Sequence, residues 1–275
     1  MENLPSDVLS DIFIRLLAKQ LAQMRSVCKS WNALLSQSSF IKSHLHRSVH
    51  NNHEFLLFYE KCEALHLDSE PFTAHPSTSP HVELTDFIKL PATLQSRGAN
   101  VIGSVNGLIC LYYGLCNRFV VHIWNPSISV VSTLPRYSMP SICDDPIRIL
   151  FRFGFDPKTD DYKVVKLANF LQPPSFMDPI VVAILGTNFF LVKEWLQVEV
   201  YSMRKGSWKV ITERFPSQVT GITRTNEVCV DGHDGHIHWF CSVDEGKEQA
   251  LVAFDLGFET FCEIPVSACI NALML

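Results

Sequence analysis

Charge is scarce in this sequence, and its sign is wrong for one large class of functions. Only 19% of the 275 residues are charged and the formal net charge is −5. A general nucleic-acid binder needs a basic face to neutralise phosphates, and no Lys/Arg stripe occurs. Long apolar runs are also missing. The longest, Ile180 to Val192, contains Thr187 and Asn188 and falls short of the roughly 20 residues a spanning helix needs. The chain opens Met-Glu-Asn-Leu-Pro-Ser-Asp, with acids where a secretory signal requires a basic segment. Its one Asn-x-Ser/Thr triplet, Asn125-Pro126-Ser127, is disqualified as a glycosylation acceptor by the proline. Nine cysteines make an odd count without a regular framework, which reads as reduced, mostly buried thiols in an intracellular protein.

Catalytic signatures are equally sparse. There is no Gly-x-Ser-x-Gly elbow, no Gly-x4-Gly-Lys phosphate loop and no Cys-x2-Cys pair of the zinc type, so no catalytic residue or cofactor is assigned. Without paired zinc knuckles the chain is not itself a RING-type ligase. His236-Ile237-His238 is the best metal candidate, since strand alternation puts both imidazoles on one face, near His233 and Asp231. The plainer reading is a turn followed by a half-exposed strand, and no metal site is assigned. Asp144-Asp145 and Asp160-Asp161 read as solvated turn residues rather than paired catalytic carboxylates.

What is present divides into two parts. A hydrophobic content of 47% is enough for a small domain and a larger one, each with a core. Residues 1–50 carry six Lys/Arg and three acids of the 23 and 28 in the whole chain, leaving 17 and 25 beyond, or −8. At long range the larger domain therefore favours a basic partner.

Residues 4 to 45 read as short helices joined by tight turns. Val8, Leu9, Ile12, Phe13 and Leu16 form one apolar stripe; Leu21, Met24, Val27 and Cys28 form a second; Trp31, Leu34 and Leu35 form a third. A last helix is expected from Phe40 to Leu45. About forty residues cannot bury all this surface by themselves, so some of it should face a partner or the following domain.

From Glu54 onward the pattern changes to short β-rich runs. Expected strands are Glu54–Tyr59, Gly107–Tyr113, Phe119–Trp124, Ile149–Phe155, Tyr162–Leu167, Leu196–Ser202, Ser207–Ile211, Gly235–Cys241 and Leu251–Asp255. Asp156-Pro157-Lys158-Thr159-Asp160-Asp161 predicts a tight hairpin between two of them. A weak repeat also runs through this half: Ile123-Trp124-Asn125 to Pro135, Val200-Tyr201-Ser202 to Pro216, and Ala253-Phe254-Asp255 to Pro265. Three such units, the middle one lengthened near Leu171–Pro179, predict propeller blades. Trp124, Tyr201, Trp208, Trp239 and Phe254 fall at blade-like positions within the units and are expected to pack the core.

The N-terminal segments Leu4-Pro5-Ser6-Asp7-Val8-Leu9-Ser10-Asp11-Ile12-Phe13-Ile14-Arg15-Leu16, Lys19-Gln20-Leu21 and Arg25-Ser26-Val27-Cys28-Lys29-Ser30-Trp31 resemble a plant F-box in order and spacing. Two positions depart from that pattern: Leu17 stands where a proline is usual, and Gln20 where a serine is usual. The second half resembles the F-box-associated, kelch-like domain of the same proteins. It does so through Gly103-Ser104-Val105-Asn106-Gly107-Leu108-Ile109-Cys110, Trp124-Asn125-Pro126-Ser127, Phe153-Gly154-Phe155-Asp156-Pro157 and Val200-Tyr201-Ser202. The group includes the S-locus F-box proteins of pollen, thought to recognise stylar ribonucleases, beside many members with other targets.

The resemblance implies an α+β chain: an F-box of three to four helices over residues 1–48, then an all-β, kelch-like propeller domain over 49–275. Members of the group usually run further, so that domain is expected to be incomplete at its C-terminal end. The implied function is that of a non-catalytic substrate adaptor in a Skp–cullin–F-box ubiquitin ligase, in the nucleus or cytoplasm. Its implied partners are a Skp-type linker, through it a cullin, and an unidentified protein target, with neither nucleic acid nor membrane. Carried over position by position, the linker-binding residues are Leu4, Pro5, Val8, Leu9, Ile12, Leu16, Leu21, Val27, Cys28 and Trp31. The alternative, motivated by Leu17, Gln20 and the early stop, is a truncated or divergent interaction protein that no longer recruits a ligase.

Overall fold

The computed structural model describes residues 4–50, 55–59, 72–76, 78–83, 91, 94, 99–114, 119–139, 146–173, 191–222, 234–243 and 248–265. These fall into two compact units: 1–98 with 124–131, and 99–123 with 132–275.

The first unit opens with four helices: α1 Ser6–Phe13, α2 Ala18–Arg25, α3 Lys29–Leu35 and α4 Ser38–His50. The last is longer than its apolar spacing predicts. Phe13, Leu21, Leu35 and Phe40 make the core of this module, with Leu9, Ile14, Leu16, Met24, Trp31 and Leu34 packed around them. Trp31 meets Phe13 edge-on at 4.9 Å. His44 Nε2–H donates to the Leu16 carbonyl at 2.8 Å, tying α4 to the turn after α1. A two-stranded hairpin, β1 Phe55–Tyr59 and β2 Phe72–Pro76, belongs to the same unit.

The rest of the chain builds three antiparallel meanders. The first is β3 Asn100–Val105, β4 Leu108–Tyr113, β5 Val120–Asn125 and β6 Val130–Thr133, in that spatial order. The second runs β7 Ile147–Asp156, β8 Asp161–Gln172, β10 Glu199–Ser202 and β11 Ser207–Val210, with β9 Leu191–Trp195 returning onto the far end of β8. The third is β12 Val219–Ile222, β13 His236–Val243, β14 Glu248–Asp255 and β15 Thr260–Pro265. Successive antiparallel meanders of four strands, the middle one with β9 added, have the form of propeller blades, and the three coincide with the three expected repeat units. The extra length of the middle unit includes the added strand β9. The remainder of the expected loop, 174–179, lies outside the described residues, as do Asp144-Asp145 and the 272–275 end.

Strand alternation explains the packing. Along β8, Val165 and Leu167 point into one core, with Val200, Ile237, Trp239, Val252 and Phe254. Val164 and Ala168, one position over, point into another, with Cys110, Val121, Ile149, Phe151 and Tyr201. The middle sheet is thus apolar on both faces, as a blade between two others must be. Trp124, Tyr201, Trp239 and Phe254 are buried as expected. Trp208 is partly buried and donates its Nε1–H to the Pro135 carbonyl at 2.7 Å. Burial raises the thiol pKa of Cys110, and that of Cys241 to about 12, so both stay protonated and unreactive.

The β3–β4 hairpin turns on Asn106-Gly107, both at positive φ, between the paired Val105 and Leu108, the signature of a two-residue primed turn. The β5–β6, β7–β8, β10–β11 and β14–β15 connections share another form. Each opens on a side-chain acceptor (Asn125, Asp156, Ser202 or Asp255) that binds a backbone N–H of its own turn at 2.7–3.1 Å. Each closes on a left-handed residue: Ser129, Asp160, Gly206 or Glu259, at φ between 55° and 65°. The repeat seen in the sequence is therefore largely a repeated turn.

Candidate partner-docking site

On α1, residues advance by about 100° each, so Leu9 and Phe13 share one direction while Val8 and Ile12 share the neighbouring one. The first pair enters the module's core. The second does not: Val8 is 43% and Ile12 47% exposed, and Leu4, four residues before Val8, is exposed as well. Asp7, Asp11 and Arg15, all exposed, border this stripe on its outer side. Pro5 precedes the first turn with φ −54°, where its missing N–H costs nothing. A one-layer helix cluster of this size needs only one apolar face per helix, and α1 has two.

The ten positions carried over from the resemblance separate accordingly. Leu4, Pro5, Val8, Ile12 and Val27 are exposed, Val27 at 59% in the turn between α2 and α3. Leu9, Leu16 and Trp31 are partly buried against the core and Leu21 lies within it. Cys28 is partly buried and begins α3 from an extended backbone. Arg25 holds the α2–α3 corner, donating to Asn32 Oδ1 at 3.0 Å and to Ser36 Oγ at 2.8 Å.

Leu17 was not among the ten, yet it is 62% exposed. Its place at the helix junction followed from sequence; its outward side chain did not, because apolar periodicity alone cannot tell an outward leucine from an inward one. Leu17 caps α2 with φ −68°, and its N–H donates to Gln20 Oε1 at 3.0 Å.

The metal candidate resolves differently. His236 Nε2 lies 3.6 Å from Asp255 and Nδ1 3.8 Å from Asp234. His238 is on the same strand face, and Asp231 and His233 lie outside the described residues.

An outward apolar stripe on a short helical module, followed by blade-like sheets, agrees with what the chain matches. Residues 1–47 match the F-box-like family, and residues 54–274 match the family described as F-box associated beta propeller domain. The chain belongs to the plant F-box proteins that carry an F-box associated domain. It is 30% identical over 222 residues to F-box protein CPR1 of Arabidopsis thaliana, covering 77% of this chain and 46% of that protein. It is 24% identical over 279 residues to an F-box/kelch-repeat protein of the same plant, covering 97% and 66%. A third Arabidopsis F-box protein is 26% identical over 267 residues, covering 93% and 58%. The chain thus spans about half to two thirds of the length of these relatives. Within the F-box module, the residues that hold the fold and those that face outward are now distinct sets.

Proposed function

We propose that this F-box protein is the target-recognition subunit of a Skp–cullin–F-box ubiquitin ligase. The helical module binds a Skp-type linker, and the β domain holds a protein destined for ubiquitination, in the cytoplasm or nucleus. The observation that carries this reading is the second apolar face of α1, Leu4, Val8 and Ile12. With Pro5, Leu17 and Val27 it supplies the desolvated centre that a stable interface needs. The inward positions Leu9, Leu16, Leu21 and Trp31 act indirectly by fixing that face, and Cys28 by setting where α3 begins. The role is non-catalytic: holding a target near a ubiquitin donor raises the effective concentration of its lysines.

The test is co-purification with a plant Skp-type linker, wild type beside Val8→Asp/Ile12→Asp. Both substitutions fall on exposed positions, so helical circular dichroism should be unchanged. Retention of the linker by wild type, with at least about a tenfold loss in the variant, is the expected result. Equal retention by both would move the linker contact off the Leu4, Val8 and Ile12 face, and no retention by a folded wild type would leave the chain an interaction protein outside the ligase.

A further inference from the structure

The connection from β6 to β7 runs over the middle sheet as a strap, whose described part is residues 134–139. Leu134 and Tyr137 enter the core shared by the first two meanders, while Pro135, Arg136, Ser138 and Met139 are exposed. Backbone polar groups in such a segment need partners outside any ladder, and other elements supply them. The Leu134 N–H donates to the Val121 carbonyl at 2.9 Å, and the Trp208 indole N–H reaches the Pro135 carbonyl. Ser138 is held through both its N–H and its carbonyl.

What holds Ser138 is a buried ion pair. Lys166 on β8 and Glu199 on β10 stand directly opposite each other in the register, and their side chains are only 3% and 4% exposed. Lys166 Nζ donates to Glu199 Oε1 and, at 2.6 Å, to the Ser138 carbonyl. Glu199 Oε2 accepts the Ser138 N–H at 3.1 Å. The ammonium also lies 4.7 Å from the centre of the Tyr137 ring. Each charge thus bonds both to the other and to the backbone of Ser138. Such a pair adds little net stability, because desolvation offsets the attraction. Its effect is specific instead: an apolar pair of similar size would fill the space under the strap but offer Ser138 no partner. The β8–β10 ladder places both side chains, so the receiving pair stands ready whether or not the strap is seated. Ser138 is exposed, so its backbone finds water when the strap lifts.

We infer that Lys166 and Glu199 are a latch: a charged pair built into the sheet that captures the Ser138 backbone. It lets the strap open and close as one unit while the sheet beneath stays folded. Closure fixes the outward positions of Arg136 and Met139. It also steadies the residue leading into β5, because the Tyr137 hydroxyl accepts the Phe119 N–H at 3.1 Å. The latch goes beyond the adaptor reading and does not depend on linker docking.

Amide hydrogen exchange on the whole chain tests it, with peptides covering the strap read against peptides from β7 and β8. In Lys166→Met/Glu199→Leu the strap should exchange about tenfold faster than in wild type, while β7 and β8 keep their rates and the melting temperature does not fall. Lys166→Met alone should lower the melting temperature, since it leaves Glu199 buried without its counter-charge. Glu199→Gln, nearly the same shape, covers the case of a double variant that fails to fold. It has one acceptor oxygen where Lys166 and Ser138 use two, so the strap should again exchange faster over an intact sheet. Strap exchange at the wild-type rate in either folded variant, acceleration of β8 in step with the strap, or a Lys166→Met variant that melts like wild type would overturn the inference.

Discussion

The junction between α1 and α2 shows how two departures from a motif can be one. Where the F-box pattern has proline, Leu17 brings a backbone N–H that the first turn of α2 cannot satisfy. Gln20, in place of a small serine, accepts that N–H at 3.0 Å, which is half of a capping box. Leu17 keeps φ at −68°, the value proline would impose, so the junction retains its geometry with different chemistry. Gln20→Ala should therefore cost about 0.5–1 kcal/mol in the natural background. In a Leu17→Pro background it should cost almost nothing, because the donor is gone. A double-mutant cycle on urea midpoints measures the coupling; equal costs in both backgrounds would mean that the Gln20 hydrogen bond contributes nothing.

At the scale of elements, the division of α1 and α2 into inward and outward residues makes a separable prediction. Leu21→Ala empties part of the module's core and should destabilise it by about 2–3 kcal/mol, seen as an early loss of helical signal on heating. Val8→Ala, on the exposed stripe, should stay within about 0.5 kcal/mol of wild type while weakening linker binding. Much of this organisation was legible. Helices over 4–45, the β7–β8 hairpin and the three units followed from periodicity and from Asp-Pro and turn-residue clusters, which act locally. Less legible were β3 Asn100–Val105, whose register slips between Val101 and Gly103, and short β9 and β12, whose pairing is decided by distant strands. The Asn106-Gly107 dipeptide was available as a hairpin signal and fixes the β3–β4 register. The sorting of Leu9 from Val8, or Leu21 from Val27, was not available, since both members of each pair satisfy the same apolar spacing and only packing separates them. The contact between the β7–β8 and β14–β15 turns was likewise hidden, since Lys163 donates to the carbonyl of Leu256, 93 residues away.

Across the whole molecule, buried ionisable groups set how the fold responds to acid. His122 is buried, with Nδ1 bonded to the Thr133 hydroxyl at 3.0 Å and its ring stacked on Tyr113. Burial lowers its pKa below the ordinary 6.5. The unfolded chain therefore binds a proton at this site before the folded one does, and stability contributed above pH 6.5 is lost as pH falls toward the folded value. Asp156 and Asp255 titrate lower. Burial raises both, but the Thr159 hydroxyl, the Lys158 N–H and Lys163 outweigh it at Asp156, as the Gly257 and Phe258 N–H groups and Lys158 do at Asp255. Their folded pKa values lie under the ordinary 3.8, so their contribution persists above that pH and disappears as pH falls through the folded values. Two limbs of destabilisation are expected in melting temperature against pH: one beginning near 6.5 and one below about 4. His122→Gln should flatten the first and leave the second, whereas Asp156→Asn should lower stability at neutral pH and reduce the second to the share that Asp255 carries. A first limb unchanged in His122→Gln would show that another group carries it, and that the His122 site is solvated enough to hold a charge.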